Sequence, residues 1–260
     1  MKNTIACGFI EERNGQCRPF PAIPPARFVA IGICGVEIFW HDGLTVENVR
    51  SIIEPHGLRV ISLHVPCSLE DDKVFDVYKQ FAERAVALDC ARLYASTRVS
   101  EMPFAEACNK LLRIGDILAR YGLVLGMETH PPFCHNAKAM IKTIETVGHP
   151  GIRLNFDTGN IYFYNEHIDA VNELQKVAKY VSSVHLKEST GGYHDGAFRV
   201  LGKGVVDFPG VFKTLADIGF DGPYTIELEG EALVKQMDTE DNIAATIKAC
   251  VDYLRGKNLV

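Results

Sequence analysis

Several absences narrow the class of this sequence. The eight cysteines, Cys7, Cys17, Cys34, Cys67, Cys90, Cys108, Cys134 and Cys250, include no Cys-x-x-Cys pair. That excludes a zinc ribbon or a thioredoxin-type motif and leaves reduced core thiols, the usage of a cytoplasmic protein. No run of Lys and Arg occurs, and the formal net charge is −6. A basic nucleic-acid-binding face is therefore not expected. No apolar run approaches the ~18 residues of a membrane span, so no membrane partner is expected either. The opening stretch MKNTIACGFIEERNG is too short in its apolar part, and too acidic after it, for a signal peptide. No composition shift or linker divides the 260 residues, so one domain over 1–260 is expected.

What is present is alternation. Eight β-rich runs stand at 4–10, 35–40, 60–65, 91–96, 123–130, 152–159, 181–188 and 223–230. Each is mostly apolar on both faces, as parallel strands covered on both sides must be. Helical spacing lies between them: Val74, Val77, Phe81, Ala85 and Leu88; Phe104, Cys108, Leu111, Ile114 and Leu118; Ile243, Ile247, Val251 and Leu254. Gly57, Gly122, Gly148, Gly219 and Gly256 follow as helix stops. Eight strand–helix repeats predict an α/β fold, a (β/α)8 TIM barrel. A doubly wound sheet fits less well. Its Gly-rich turn is missing after the first run, where EERNGQCRPFPAIPP stands instead. Pro24 and Pro25 predict a short or irregular first helix. Two long connections, 11–21 and 189–206, fall on the C-terminal face, where long loops tend to be functional.

Residues two apart on a strand share a side. Glu128 and His130, Asn155 and Asp157, His185 and Lys187, and Glu227 and Glu229 therefore form same-side polar pairs on strands five to eight. A single Glu or His in such a run is ordinarily a satisfied structural residue. Four pairs arriving together at the end where barrels carry their sites are not explained that way. Burying those charges costs several kcal/mol each unless a shared cation or mutual pairing offsets it. Glu128, Asp157, His185 and Glu227 form the best ligand set. Three carboxylates and an imidazole suit Mn²⁺, with Mg²⁺, Co²⁺ and Zn²⁺ as alternatives. His64 and His41, at the ends of strands three and two, are candidate substrate contacts. Tyr162, Phe163, Tyr164 and Trp40 are candidates for an apolar wall.

METHP at 127–131, NFDTGN at 155–160, VHLKES at 184–189 and YTIELE at 224–229 resemble the xylose-isomerase-like superfamily of TIM barrels, often labelled sugar phosphate isomerase/epimerase. GVEI at 35–38 and LGKGVVDF at 201–208 extend the likeness over nearly the whole chain. The resemblance implies that Glu128, Asp157, His185 and Glu227 hold the metal. It further implies that Glu128 and Glu227 move protons on opposite faces of a ketose. RVLGKG at 199–204 is similar to a segment carrying a substrate-binding arginine, which makes Arg199 a candidate contact. Asn160 stands where ketose 3-epimerases have His, and is a further candidate contact. The Glu-x-His and His-x-Lys pairs look more like 3-dehydroshikimate dehydratases and the metal-binding subunit of C-glycoside deglycosidases, where a His is the base.

The expected activity is proton abstraction beside the carbonyl of a sugar or sugar derivative through a metal-stabilised enediolate. Glu128, Glu227 and His130 are the candidate proton carriers. Lys187 is the candidate donor to an oxyanion or a leaving hydroxyl, and Glu229 either orients Lys187 or His130 or touches ligand. The alternative is a lyase that follows the same abstraction with β-elimination from a 3-keto-glycoside or dehydro-polyol. Endonuclease IV shares the superfamily, but the acidic balance opposes DNA repair. A homo-oligomer or a metal-holding subunit of a larger complex completes the alternatives.

Overall fold

The computed structural model describes residues 3–10, 20–66 and 68–260. Cys17, Cys67 and most of the connection expected at 11–21 lie outside the described residues. Eight parallel strands close in sequence order into one barrel. They are β1 (Ile5–Ile10), β2 (Gly35–Phe39), β3 (Arg59–His64), β4 (Arg92–Ala95), β5 (Val124–Glu128), β6 (Ile152–Asp157), β7 (Val181–Leu186) and β8 (Tyr224–Leu228), and β8 pairs back onto β1. The helices are α1 (Pro25–Ile31), α2 (Val46–Ile53), α3 (Val74–Ala87), α4 (Phe104–Ala119), α5 (Ala137–Val147), α6 (Asn160–Phe163), α7 (Ala170–Val177), α8 (Phe208–Asp217), α9 (Glu231–Val234) and α10 (Glu240–Gly256).

The apolar core lies between strands and helices. Val36, Ile38, Leu125, Met127, Leu154, Phe156, Val184, Leu186, Ile226 and Leu228 are buried there. Each such side chain contributes roughly 1.5–3 kcal/mol on leaving water. The alternate positions, Glu37, Glu128, Asn155, Asp157, Ser183, His185, Thr225 and Glu227, are buried too but polar. Two irregularities set their register. The β2–β3 ladder skips Ile61 and brings Glu37 beside Ser62. The β6–β7 ladder skips Ser182 and brings Asp157 beside His185. A bulge of this kind re-aims side chains next to a site.

As the two prolines predict, α1 is short, with Pro24 as its N-cap and Pro25 in its first turn. The expected stop at Gly256 is not used. α10 runs through Gly256, and the left-handed residue is Asn258, at φ 57°. Asn is among the few side chains that tolerate that region. Cys7, Cys34, Cys90, Cys108, Cys134 and Cys250 are free thiols, and all but Cys34 are buried. Among the described residues no helix is long and apolar enough to cross a membrane.

Candidate metal centre and cavity

Four adjacent strands meet at one point near their C-terminal ends. One ligand atom each from Glu128, Asp157, His185 and Glu227 lies within 4.8 Å of the other three, and all four residues are buried. His185 Nδ1 is 3.1 Å from Glu128 Oε1, 3.2 Å from Glu227 Oε2 and 3.8 Å from Asp157 Oδ2.

Local structure aims each group. Asp157 Oδ1 accepts the backbone N–H groups of Gly159 and Asn160, both at 2.8 Å, which leaves Oδ2 facing the centre. The Ser96 hydroxyl donates to Glu128 Oε2, which leaves Oε1 for His185. Beyond the ends of the β-ladders two threonines lock the strands together. Thr129 Oγ1 accepts from Asp157 N at 2.9 Å, and Thr158 Oγ1 donates to Lys187 O at 2.8 Å.

Lys187 is 1% exposed and sits among acids. Its Nζ is 2.7 Å from Glu227 Oε2, 3.0 Å from Asp157 Oδ2 and 2.7 Å from Glu229 Oε1, and it donates to Asn160 Oδ1 at 3.0 Å. Burial opposes its charge, but Asp157, Glu227 and Glu229 outweigh burial and hold its pKa well above the ordinary lysine value. His185 follows the same balance, with desolvation overcome by Glu227 and Glu37, and its pKa is raised. Desolvation wins at two carboxyls. Asp157 is pushed up to about 8 and Glu229 to about 7, despite the pull of Lys187 on both.

Five carboxyl groups, Glu37, Glu128, Asp157, Glu227 and Glu229, thus share two basic partners, Lys187 and His185. Asp157 Oδ2 and Glu227 Oε2 are buried without a well-aligned hydrogen bond among the described residues. Surplus acid, carboxylate oxygens converging on one point and a mixed O/N donor set fit a divalent cation.

Above the centre opens a cavity of about 360 Å³. Glu128, Glu227, Glu229 and Lys187 form its floor, and Phe39, Tyr94, Phe163, Tyr164 and Phe198 its walls. His64, Ser96, Arg98, His130 and Asn160 supply further polar edges. His64 stacks on Phe39 at 4.3 Å between ring centroids, and desolvation brings its pKa down to about 4. His130 Nδ1 is 2.7 Å from the Pro131 carbonyl oxygen, so Nδ1 carries the proton. Its Nε2 lone pair then accepts from Arg98 at 3.2 Å. Desolvation and Arg98 lower the His130 pKa, which keeps the ring neutral.

The structure gathers Glu128, His130, Asn160, Lys187, Glu227, Glu229 and His64 around the cavity, with Asp157 and His185 in the centre beneath. Two expected contacts lie off the cavity lining. Arg199 is exposed and does not line the cavity. Its backbone pairs with Glu188, and the extended alternation gives the inward place to its neighbour Phe198. His41 is exposed beyond the end of β2, with Nδ1 3.0 Å from the Asp42 carbonyl oxygen. Of the aromatic candidates, Phe163 and Tyr164 form wall. Tyr162 is core, and Trp40 lies under the Arg84 guanidinium at 4.6 Å.

The connection at 189–206 is irregular and pinned from below. The buried Glu188 carboxylate accepts from Ser189 N, Gly202 N and Val206 N at 2.8–3.0 Å. Sequence reasoning passed over Arg98, Ser96 and Glu37. Glu37 carried a signal, being the one acid in the apolar run of β2; Arg98 and Ser96 follow β4 in a segment with no periodicity.

The family profile described as "Xylose isomerase-like TIM barrel" matches residues 25–254. L-ribulose-5-phosphate 3-epimerase UlaE of Shigella flexneri is 29% identical over 235 residues, covering 84% of this chain and 78% of its own length. The probable 3-DHS dehydratase AsbF of Bacillus anthracis superposes with a TM-score of 0.75 at 18% identity, over 98% of this chain and 99% of that one. The IOLI protein, solved with a zinc atom bound, superposes with a TM-score of 0.74 at 17% identity, over 98% and 99%. The two structures show the fold. With the profile spanning most of its length and its own barrel closed, the chain belongs to the xylose isomerase-like TIM barrel family.

Proposed function

We propose that this chain is a divalent-metal-dependent sugar isomerase or epimerase that removes a proton from a carbon beside a carbonyl. The observation that carries the reading is the meeting of Glu128, Asp157, His185 and Glu227 within 4.8 Å beneath an open cavity. UlaE is a ketose phosphate 3-epimerase by name, and the IOLI protein holds zinc, which supports both halves of the reading. Those four residues would hold the cation, with Mn²⁺ the first choice and Mg²⁺, Co²⁺ or Zn²⁺ as alternatives. When bound there, a cation would supply positive charge to stabilise the negative charge that develops on a substrate oxygen. Reduced, buried thiols fit a cytoplasmic setting.

The chain's own groups divide the remaining work. Glu128 and Glu227 stand on strands three apart and reach the floor from different sides, so each can take or return a proton on one face of a substrate. His130 is a neutral base at the edge, with Nε2 facing Arg98. Lys187 carries its charge at the floor and donates to a developing oxyanion. Asn160 and His64 position hydroxyls, and the aromatic walls exclude water.

Deuterium uptake tests the reading. The metal-replete protein, incubated in D₂O with a panel of ketoses, ketose phosphates and 3-keto-glycosides, should label one substrate beside its carbonyl. Labelling should vanish in chelator and in Glu128→Gln. Product of unchanged mass supports isomerisation, whereas loss of water or an aglycone identifies the lyase. No exchange on any member of the panel would sink the proposal.

A further inference from the structure

Glu37 lies outside the four-residue centre, yet among the described residues it is the acid that approaches His185 from the far side of the barrel. It sits on β2, across the interior from β7, and is 5% exposed. Its Oε1 is 3.1 Å from His185 Nε2. Both atoms are buried, and neither has a well-aligned hydrogen bond elsewhere among the described residues. Its Oε2 accepts from the Ser62 hydroxyl, which the skipped residue in the β2–β3 ladder places alongside. On β1, a Cβ at Gly8 would stand 2.7 Å from Glu37 Oε1 and 2.6 Å from Thr225 Cγ2. The barrel thus leaves room at one backbone position, supplies one hydroxyl and shifts one register, and all three place this carboxylate against the back of one imidazole.

The chemistry of a histidine ligand gives that placement a purpose. His185 presents Nδ1 to Glu128, Asp157 and Glu227. An imidazole that binds a cation through Nδ1 must give up that proton and keep the other on Nε2. A buried N–H needs an acceptor, and Glu37 Oε1 is the atom within reach. A buried carboxylate kept only to fill space would be a poor choice, because an apolar side chain of similar size does that without desolvating a charge.

We propose that Glu37 is a positioning residue of the metal centre: it accepts a hydrogen bond from the Nε2–H of His185, fixes the ring orientation and leaves the Nδ1 lone pair facing the three acids, with Ser62 orienting the carboxylate. The proposal rests on the metal reading above and adds a fifth residue to it, one that touches neither cation nor substrate.

Mn²⁺ alone is the probe, titrated calorimetrically into the full chain and its variants. Glu37→Met should weaken binding about 10–100-fold, the range for removing a partner behind a metal-bound histidine. Glu37→Gln keeps a carbonyl acceptor and should lose markedly less. A space-filling role predicts equal behaviour for the two, since their volumes match. In the zinc-loaded protein, long-range ¹H–¹⁵N correlation should show the His185 proton on Nε2, and in Glu37→Met that resonance should exchange faster with water.

Mn²⁺ affinity in a folded Glu37→Met within about threefold of wild type overturns the proposal. Should that variant not fold, Ser62→Ala decides. It should weaken Mn²⁺ severalfold, and unchanged affinity overturns the proposal equally. Wild type that takes up no Mn²⁺ or Zn²⁺ removes the metal reading itself, a failure visible before any variant is made.

Discussion

The Lys187 ammonium lies 2.7 Å from Glu227 Oε2, with both side chains buried. This contact does two opposing things. It neutralises part of an acidic cluster when no cation is bound, and it repels a cation that enters. Lys187→Met therefore separates the two. Without metal, the variant leaves Asp157 and Glu227 short of a partner and should lose about 3–5 kcal/mol of stability. Mn²⁺ should bind it more tightly than wild type and recover most of that loss. Denaturant titrations in chelator and in Mn²⁺ measure both, and an unchanged midpoint in chelator counts against the contact.

Protons compete with the cation for the same oxygens. Burial pushes Asp157 up to about 8, and His185 is also raised. Both must lose their protons to serve as ligands. Mn²⁺ binding at pH 7 should release at least one proton, and affinity should climb as pH rises towards about 8. Calorimetry in two buffers of different ionisation enthalpy counts the protons. The sign for stability is the reverse. Asp157 binds its proton more tightly folded than unfolded, where its value is 3.8, so its contribution in the metal-free protein falls as pH rises from about 4 to about 8.

The barrel was legible because its strands are covered on both faces and read as apolar runs between helical periods. The four-residue cluster was legible because strands five to eight each carry an acid or imidazole in phase with the pleat. Glu37 carried the same phase on β2 but stood alone in its run, and its partner Ser62 is brought alongside only by a skipped residue that no periodicity announces. Next to Arg199, extended alternation gives the inward position to Phe198, a difference of one residue that the sequence pattern does not mark. Arg98 follows β4, in a segment held by long-range contacts rather than by a repeating pattern.

Those contacts lead to a prediction at Glu70. Its carboxylate accepts from the backbone N–H groups of Ser100, Glu101 and Met102 and from the Ser100 hydroxyl. The Ser100 hydroxyl and these amides hold its pKa down to about 2. The carboxylate is more acidic folded than unfolded, so its stabilising contribution is complete above 4.5 and fades as pH falls towards about 2. Glu70→Gln should speed amide hydrogen exchange at 100–102 at neutral pH and leave exchange in α10 unaltered. Equal protection in the two proteins would show that the segment is held by something else.

Arg98 itself sets the last expectation. It lines the cavity and donates to His130, and no carboxylate pairs with it among the described residues. The cavity floor is acidic and pairs Lys187 with Glu227 and Glu229, so among the described residues lining the cavity Arg98 is the cation with no carboxylate partner. A carboxylate or phosphate on the sugar would find a planar pair of N–H donors there, the geometry guanidinium offers best. Arg98→Gln should raise KM for an anionic substrate about 10–100-fold, the worth of one charge-assisted hydrogen bond, and change kcat far less. For a neutral ketose the same variant should shift KM little. Comparing a ketopentose with its 5-phosphate, and a neutral with a carboxylated keto-polyol, reads the preference directly. Equal losses across charged and neutral substrates would assign Arg98 to holding His130 in place rather than to binding an anion.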